Sequence, residues 1–328
     1  MRRRELLTFP AQAAALAVSS AYPSRAQPLT SPLVGFLGGT APIPDIVAPF
    51  VEGLAQAGFS DGRNVDILYV WANNQPARLP ELVADLLRRS VSVIATNGGA
   101  IPVRAVQAAS KSVPIVFLVG DDPARMGLVA SLNRPGGSAT GVYMLTASLN
   151  AKRVELLHQM VPQATTMAIL VNPAGLGVQA IEAEVRAATA ALHVQPLLVR
   201  AGTEREIDAA FETIARQRIG ALVLGNDPFF NSRREQLVAL ATRHGLPAIF
   251  EWREFTAGGG LMSYGADRAG ALREQGTYVA RVLKGARPAD LPVLQPRRFE
   301  LVINGKTAQT LGLTIPQTLL LRADEVIQ

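Results

Sequence analysis

The chain predicts an α/β protein of two doubly wound, parallel-sheet lobes joined by a multi-strand hinge. Three observations lead there. Apolar, β-branched runs alternate with helical patterns in two sets of four, and successive runs start about 23 to 31 residues apart, the repeat of strand–helix units in a parallel sheet. A turn-rich stretch opening at Arg134-Pro135-Gly136-Gly137 separates the two sets. The chain also runs well past its eighth strand, which a single closed barrel of eight units, the main rival, would not need.

Composition narrows the function. With 328 residues, 48% apolar and 18% charged, the chain is globular and long enough for two cores. The absence of Cys excludes disulfides, thiolate metal sites, thiol catalysis and a lipidated cysteine. Of the formal +6, residues 1–26 supply +3 (four Arg against one Glu), which leaves +3 for the rest. The remaining basic pairs, such as Arg88-Arg89, Arg233-Arg234 and Arg297-Arg298, are scattered and not interleaved with aromatics. Nucleic acid is therefore not an expected partner.

Taken in chain order, Arg2-Arg3-Arg4, the apolar stretch Leu6–Ala21 and Ser24-Arg25-Ala26 form the parts of a secretory signal over 1–26, with cleavage expected near Ala26. Arg3-Arg4-Glu5-Leu6-Leu7 resembles a twin-arginine signal. The apolar stretch is short for a membrane anchor and Pro10 interrupts it, so a periplasmic product is expected. Strands then read at Leu33–Leu37, Asn64–Val70, Val91–Ala95 and Pro114–Val119, with helices at Pro44–Ala57, Leu79–Arg89 and Ile101–Ala109. The break carries a short strand, Gly141–Leu145, and a helix from Ser148 to Met160. Strands of the second set lie at Met167–Val171, Val194–Val199, Ala221–Leu224 and Pro247–Phe250, with helices at Val178–Leu192, Glu204–Arg216 and Arg233–His244. Gly258–Tyr264 reads as an extended crossover, Asp267–Leu283 as a long helix, Phe299–Ile303 as a strand and Lys306–Leu311 as a helix. The expected lobes are 31–143 plus 267–293 and 144–266 plus 294–328.

In open α/β sheets ligands bind beyond the carboxyl ends of the strands. The loops there contain Gly39 and Thr40, then Asn97, Gly98 and Gly99, then Asp121 and Asp122. In the second set they contain Asn172, then Asn226 and Asp227, then Glu251 and Arg253. Gly permits close backbone approach, and free N–H groups at helix starts suit a carboxylate, which Arg253 could grip bidentately. Asp227 or Glu251 would pair with an amine, while Tyr264, Trp252, Phe229 or Tyr143 could cover an apolar body. Each Asp or Asn before a helix also reads as a plain cap.

Other chemistry finds little support. His158, His193 and His244 lack partners at ligand spacing, and Gly260–Gly265 has the wrong spacing for a nucleophile elbow. Gly175-Leu176-Gly177-Val178-Gln179-Ala180 matches a dinucleotide fingerprint, and Arg200 could meet a 2′-phosphate, which keeps an exported NADP-type oxidoreductase as an alternative.

Several stretches, in order along the chain, carry a resemblance: Val34-Gly35-Phe36-Leu37, Ile115–Gly120 with Asp122-Pro123, Gly127–Leu132, Leu170–Pro173, Asp227–Phe230 with Arg233, Gly259–Gly265 and Phe299–Asn304. With them the chain resembles the type I periplasmic solute-binding proteins of ABC transporters, in the tryptophan/tyrosine-type subgroup. The resemblance implies two lobes around a hinge and a small-molecule ligand, such as an amino acid or carboxylate, in the cleft. It implies delivery to an ABC permease, no cofactor and no catalysis. A monomer touching the membrane only through that permease is expected. A sensing module reporting ligand to a membrane kinase shares this fold and is the second alternative.

Overall fold

The computed structural model describes residues 31–175, 178–296 and 298–328. The proposed signal segment 1–26, the middle of the fingerprint (Leu176 and Gly177) and Arg297 lie outside the described residues.

A first sheet is built from β1 (Leu33–Gly38), β2 (Asp66–Trp71), β3 (Val93–Asn97), β4 (Ile115–Val119) and β5 (Ala139–Tyr143). Its order is β2-β1-β3-β4-β5 and every pair is parallel. Helices α1 (Pro44–Gln56), α2 (Leu79–Arg88) and α3 (Ala100–Ala109) connect its strands. Strands β3, β4 and β5 are buried along their whole length, which explains their unbroken apolar runs.

After the 3₁₀ turn Ala147–Leu149, helix α4 (Asn150–Met160) leads into β6 (Thr166–Val171), α5 (Val178–Ala191), β7 (Gln195–Arg200), α6 (Glu204–Arg216) and β8 (Ala221–Leu224). Next come α7 (Pro228–Ser232), α8 (Arg234–Arg243), β9 (Ala248–Phe250), α9 (Arg253–Ala257) and β10 (Met262–Ala266). Helix α10 (Arg268–Leu283) precedes β11 (Phe299–Asn304), α11 (Gly305–Thr310), α12 (Gln317–Leu320) and β12 (Glu325–Ile327). The second sheet runs β12-β11-β10-β9-β8-β6-β7. It is parallel except for the β10–β11 pair.

Helix α10 crosses back to the first sheet. A side chain on Gly53 of α1 would meet the Arg273 carbonyl at 2.0 Å, and one on Gly276 would meet that of Phe50 at 2.2 Å, so two glycines let α1 and α10 pack backbone to backbone. Gln275 pins α10 to the sheet by donating from Nε2 to the carbonyls of Thr96 (3.0 Å) and Val116 (2.9 Å). The chain therefore crosses between sheets three times: after β5, between β10 and α10, and between α10 and β11.

Four elements differ from the sequence reading. The stretch read as an interruption supplies β5, a full edge strand, and it ends two residues early because Leu145 takes a left-handed φ of 59°. The stretch read as a crossover contains β10, paired with β9 on one side and β11 on the other. Helices α7 and α9 are five residues each, too short to show a helical period.

Candidate functional site

In each sheet the strand order reverses at one place, between β1 and β3 in the first and between β6 and β8 in the second. The carboxyl-end loops at these switch points are where α/β folds hold ligands, because helix starts diverge there and leave a crevice. A cavity of about 290 Å³ opens at this position and is lined from both sheets.

The first sheet contributes mainly backbone. Gly39, Thr40, Asn97, Gly98 and Gly99 line the cavity, with Asp121 after β4. Gly98 and Gly99 have φ of 97° and 85°, a turn that other residues adopt only with strain. A side chain on Gly98 would also strike the Gly39 amide nitrogen at 2.9 Å, so both glycines are needed to seat the β1 loop against the β3 loop. Helix α3 starts at Ala100 with no side-chain cap, and Ala100 and Ile101 form part of the wall. Its first amides are thus left for a ligand.

The second sheet contributes side chains, and these are tied to one another. Asp227 Oδ1 accepts from the Phe229 amide at 2.8 Å and from Asn172 Nδ2 at 3.0 Å. The cap expected of Asp227 and its place in the cavity wall therefore coexist. Asn172 Oδ1 in turn accepts from the Ala174 amide. Asn226 donates to Thr146 Oγ1 at 3.3 Å, and the Thr146 amide donates to the Gly120 carbonyl at 3.0 Å. Thr146 therefore joins the ends of β4 and β8 under the cavity. Trp252 and Phe229 supply the aromatic wall.

Glu251 forms part of the wall while only 4% exposed. Burial pushes its carboxyl up to about 7, against the pull of the Arg153 and Arg268 guanidinium groups and with the push of Asp121 and Asp227. Arg153 is fully buried on α4; it donates from Nε to the Tyr264 carbonyl at 2.8 Å and from Nη1 to Asn150 Oδ1 at 2.9 Å and the Thr146 carbonyl at 3.4 Å. Arg268, 8% exposed at the start of α10, lies in the wall with its guanidinium 5.7 Å from the Trp252 ring. Its nearest carboxylate is Glu254, at 3.8 Å. Asp121 is raised to about 6 by burial first, with Arg125 opposing and the carboxylates of Asp227 and Glu184 adding. Two buried donors, Asn97 Nδ2 and Trp252 Nε1, have no partner among the described residues. Polar contacts also cross the mouth: Arg234 pairs with Asp45 at 2.7 Å and Asn74 Nδ2 donates to Ser232 Oγ at 3.1 Å.

Ten of the thirteen residues expected at the site converge here: Gly39, Thr40, Asn97, Gly98, Gly99, Asp121, Asn172, Asn226, Asp227 and Glu251. Asp122, Arg253 and Tyr264 do not line the cavity. Asp122 turns away to cap the Ala124 and Arg125 amides. Arg253 is on the exposed side of α9, paired with Glu325 of β12. The Tyr264 ring stacks on Phe299 of the neighbouring strand, centroids 6.4 Å apart, and only its carbonyl serves the site, through Arg153. Tyr143 is likewise outside the wall. Sequence reasoning missed Arg268 and Arg153. Arg268 follows a helix cap that gave no sign of returning beneath the cleft, and a lone Arg on α4 reads as solvated.

A match to known families settles the class. The model of the family described as ABC transporter substrate binding protein covers residues 42–327. The chain belongs to this family. A tyrosine-binding protein from Clostridioides difficile is 23% identical over 269 residues, which is 80% of this substrate-binding protein and 75% of the relative. Two solved structures share the fold. A conserved domain protein of Vibrio cholerae aligns with a TM-score of 0.82 at 24% identity, over 90% of this chain and all of that one. A Streptococcus pneumoniae ABC domain in complex with L-Trp aligns with a TM-score of 0.81 at 24% identity, over 91% of this chain and all of that one. The fold is thus the two-lobed, parallel-sheet one of the periplasmic binding proteins, and small-molecule capture is the family's task.

Proposed function

We propose that this substrate-binding protein captures a free amino acid, carried across the periplasm to an ABC permease without chemical change. The observation behind this reading is that one cavity offers both signs of charge beside an aromatic wall. Arg268 makes no hydrogen bond to a described residue, and Asp227 Oδ2, beside Gly175, makes none either. A buried charge with unused hydrogen-bonding capacity is costly, and an α-carboxylate on Arg268 and an α-ammonium on Asp227 Oδ2 fill the two together. The carboxylate goes to Arg268 and the open start of α3, and the ammonium to Asp227. Trp252 and Phe229 flank the body of the ligand. The relatives named for tyrosine and tryptophan fit this class.

Closure is the proposed mechanism. Ligand touching both lobes favours the form in which Asp45–Arg234 and Asn74–Ser232 meet, and the permease reads that form. The protein acts as a monomer, because one chain supplies both walls of the cavity. A thermal-shift panel of amino acids, aromatic acids and dicarboxylates tests the reading. A bound α-amino acid at roughly 100 times its Kd raises stability by about 2.7 kcal/mol. Stabilisation by acids lacking the amine, with none by any amino acid, would overturn it.

A further inference from the structure

A zwitterion does not engage every charged group that lines the cavity. Three carboxylates, Asp121, Asp227 and Glu251, face one guanidinium, that of Arg268. Glu251 has a second counter-charge in Arg153 behind it. Asp227 is held by two hydrogen bonds. Asp121 has neither: its side chain makes no hydrogen bond to a described residue, and the only cation that acts on it is Arg125 in the following turn. A zwitterion held by Asp227 and Arg268 leaves the Asp121 carboxylate without a hydrogen-bond partner of its own in the cavity. Asp121 also stands on the opposite lobe from Asp227, and the two carboxylates repel each other across the cleft. Glu184 of α5, whose Oε2 is buried and unpartnered among the described residues, adds to that repulsion. Independent signs of an occupant are the unpartnered donors on Asn97, 8% exposed, and Trp252, 6% exposed, both in the same wall. No group of three or more metal-ligating side chains occurs among the described residues.

We propose that the cargo is an amino acid with a second cationic centre, a side-chain ammonium or guanidinium, and that Asp121 is the residue that selects it. This rests on the amino-acid reading above and narrows it. The α-ammonium and α-carboxylate occupy Asp227 and Arg268. The side-chain cation pairs with Asp121 and bridges the two lobes, so that selection and closure depend on one contact.

The test is isothermal calorimetry with L-arginine, L-lysine, L-norleucine (lysine's length without its charge) and L-tyrosine. Arginine or lysine is expected to bind roughly 10- to 100-fold more tightly than norleucine, the range for a buried charged hydrogen bond. Asp121→Asn removes most of that preference and leaves norleucine within about 3-fold, which also reports that the variant is folded. Asp121→Glu retains the preference. Norleucine or tyrosine binding as tightly as the basic amino acids, or an Asp121→Asn variant that keeps the preference, would overturn the role of Asp121 while leaving the amino-acid reading intact. No binding by any of the four, with no amino acid active in the thermal-shift panel, would overturn both.

Discussion

The two walls of the cleft are built on different principles. The first-sheet wall is backbone and helix start, with glycines at 39, 98 and 99 and a single free carboxylate, Asp121. The second-sheet wall is made of side chains already held by one another: Asn172 on Asp227, Asp227 on the Phe229 amide and Asn226 on Thr146. A side chain fixed before ligand arrives loses little freedom on binding. In the proposed closure the second sheet is thus the preorganised half and the first sheet the jaw that closes over the ligand. The hydrogen-bond network of Thr146, Asn226 and Arg153 sits where the halves join.

The largest effect is expected at that junction. Arg153→Leu removes the buried hydrogen bonds to the Tyr264 and Thr146 carbonyls and to Asn150, and takes away one of the two guanidinium groups that act on Glu251, a loss of roughly 3 kcal/mol or more. Urea unfolding measures this, and a loss below about 1 kcal/mol would show that Arg153 does not support the floor of the cavity. Asp227→Ala is next: amino-acid affinity falls by roughly 10-fold or more as a charged contact is lost, along with about 1 kcal/mol of stability from the cap on α7. Unchanged affinity in calorimetry would leave Asp227 as a cap alone.

Titration separates the walls further. In the fold Asp121 is raised to about 6 from 3.8 and Glu251 to about 7 from 4.5, so the folded protein holds protons that the unfolded chain releases. The stability they contribute is complete below about pH 4 and is lost as pH rises through 6 to 7, an effect on the order of 3 kcal/mol for each group. Thermal melts of ligand-free protein from pH 4 to 8 read it, after subtraction of the Asp121→Asn, Glu251→Gln double variant. A wild type that gains stability over that window relative to this variant would contradict the assignment. Smaller still, Arg234→Ala removes a partly exposed contact across the mouth and changes stability by about 1 kcal/mol or less, with faster ligand release in stopped-flow as its clearer sign. Arg253→Ala, on the outer surface, leaves affinity within about 2-fold, since an exposed pair contributes little. A larger loss would return Arg253 to the site.

How much of this was legible in the chain follows from which interactions are local. Strand–helix spacing revealed both sheets and the loops at their carboxyl ends, because period and turn chemistry are written in neighbouring residues. Asp227, Asn172 and Glu251 could be named from their positions after strands. Arg268 and Arg153 could not, since their meaning depends on α10 returning under the first sheet and on α4 lying against β10, contacts between residues more than a hundred positions apart. Arg253 was named for its loop and excluded by its direction, which the sequence does not show in a five-residue helix. The triple glycine ahead of β10 reads as a linker, while the strand's place in the sheet depends on β11.

Trp252 offers the most direct test that ligand enters between these two walls. The chain has two tryptophans, so Trp71→Phe leaves Trp252 as the sole indole. Titrating that variant with the amino acid that gives the largest thermal shift should change Trp252 emission saturably, with the midpoint calorimetry gives, and the Asp227→Ala change should weaken both together. Binding seen by calorimetry with Trp252 emission unmoved would place the ligand elsewhere and contradict the two-walled site.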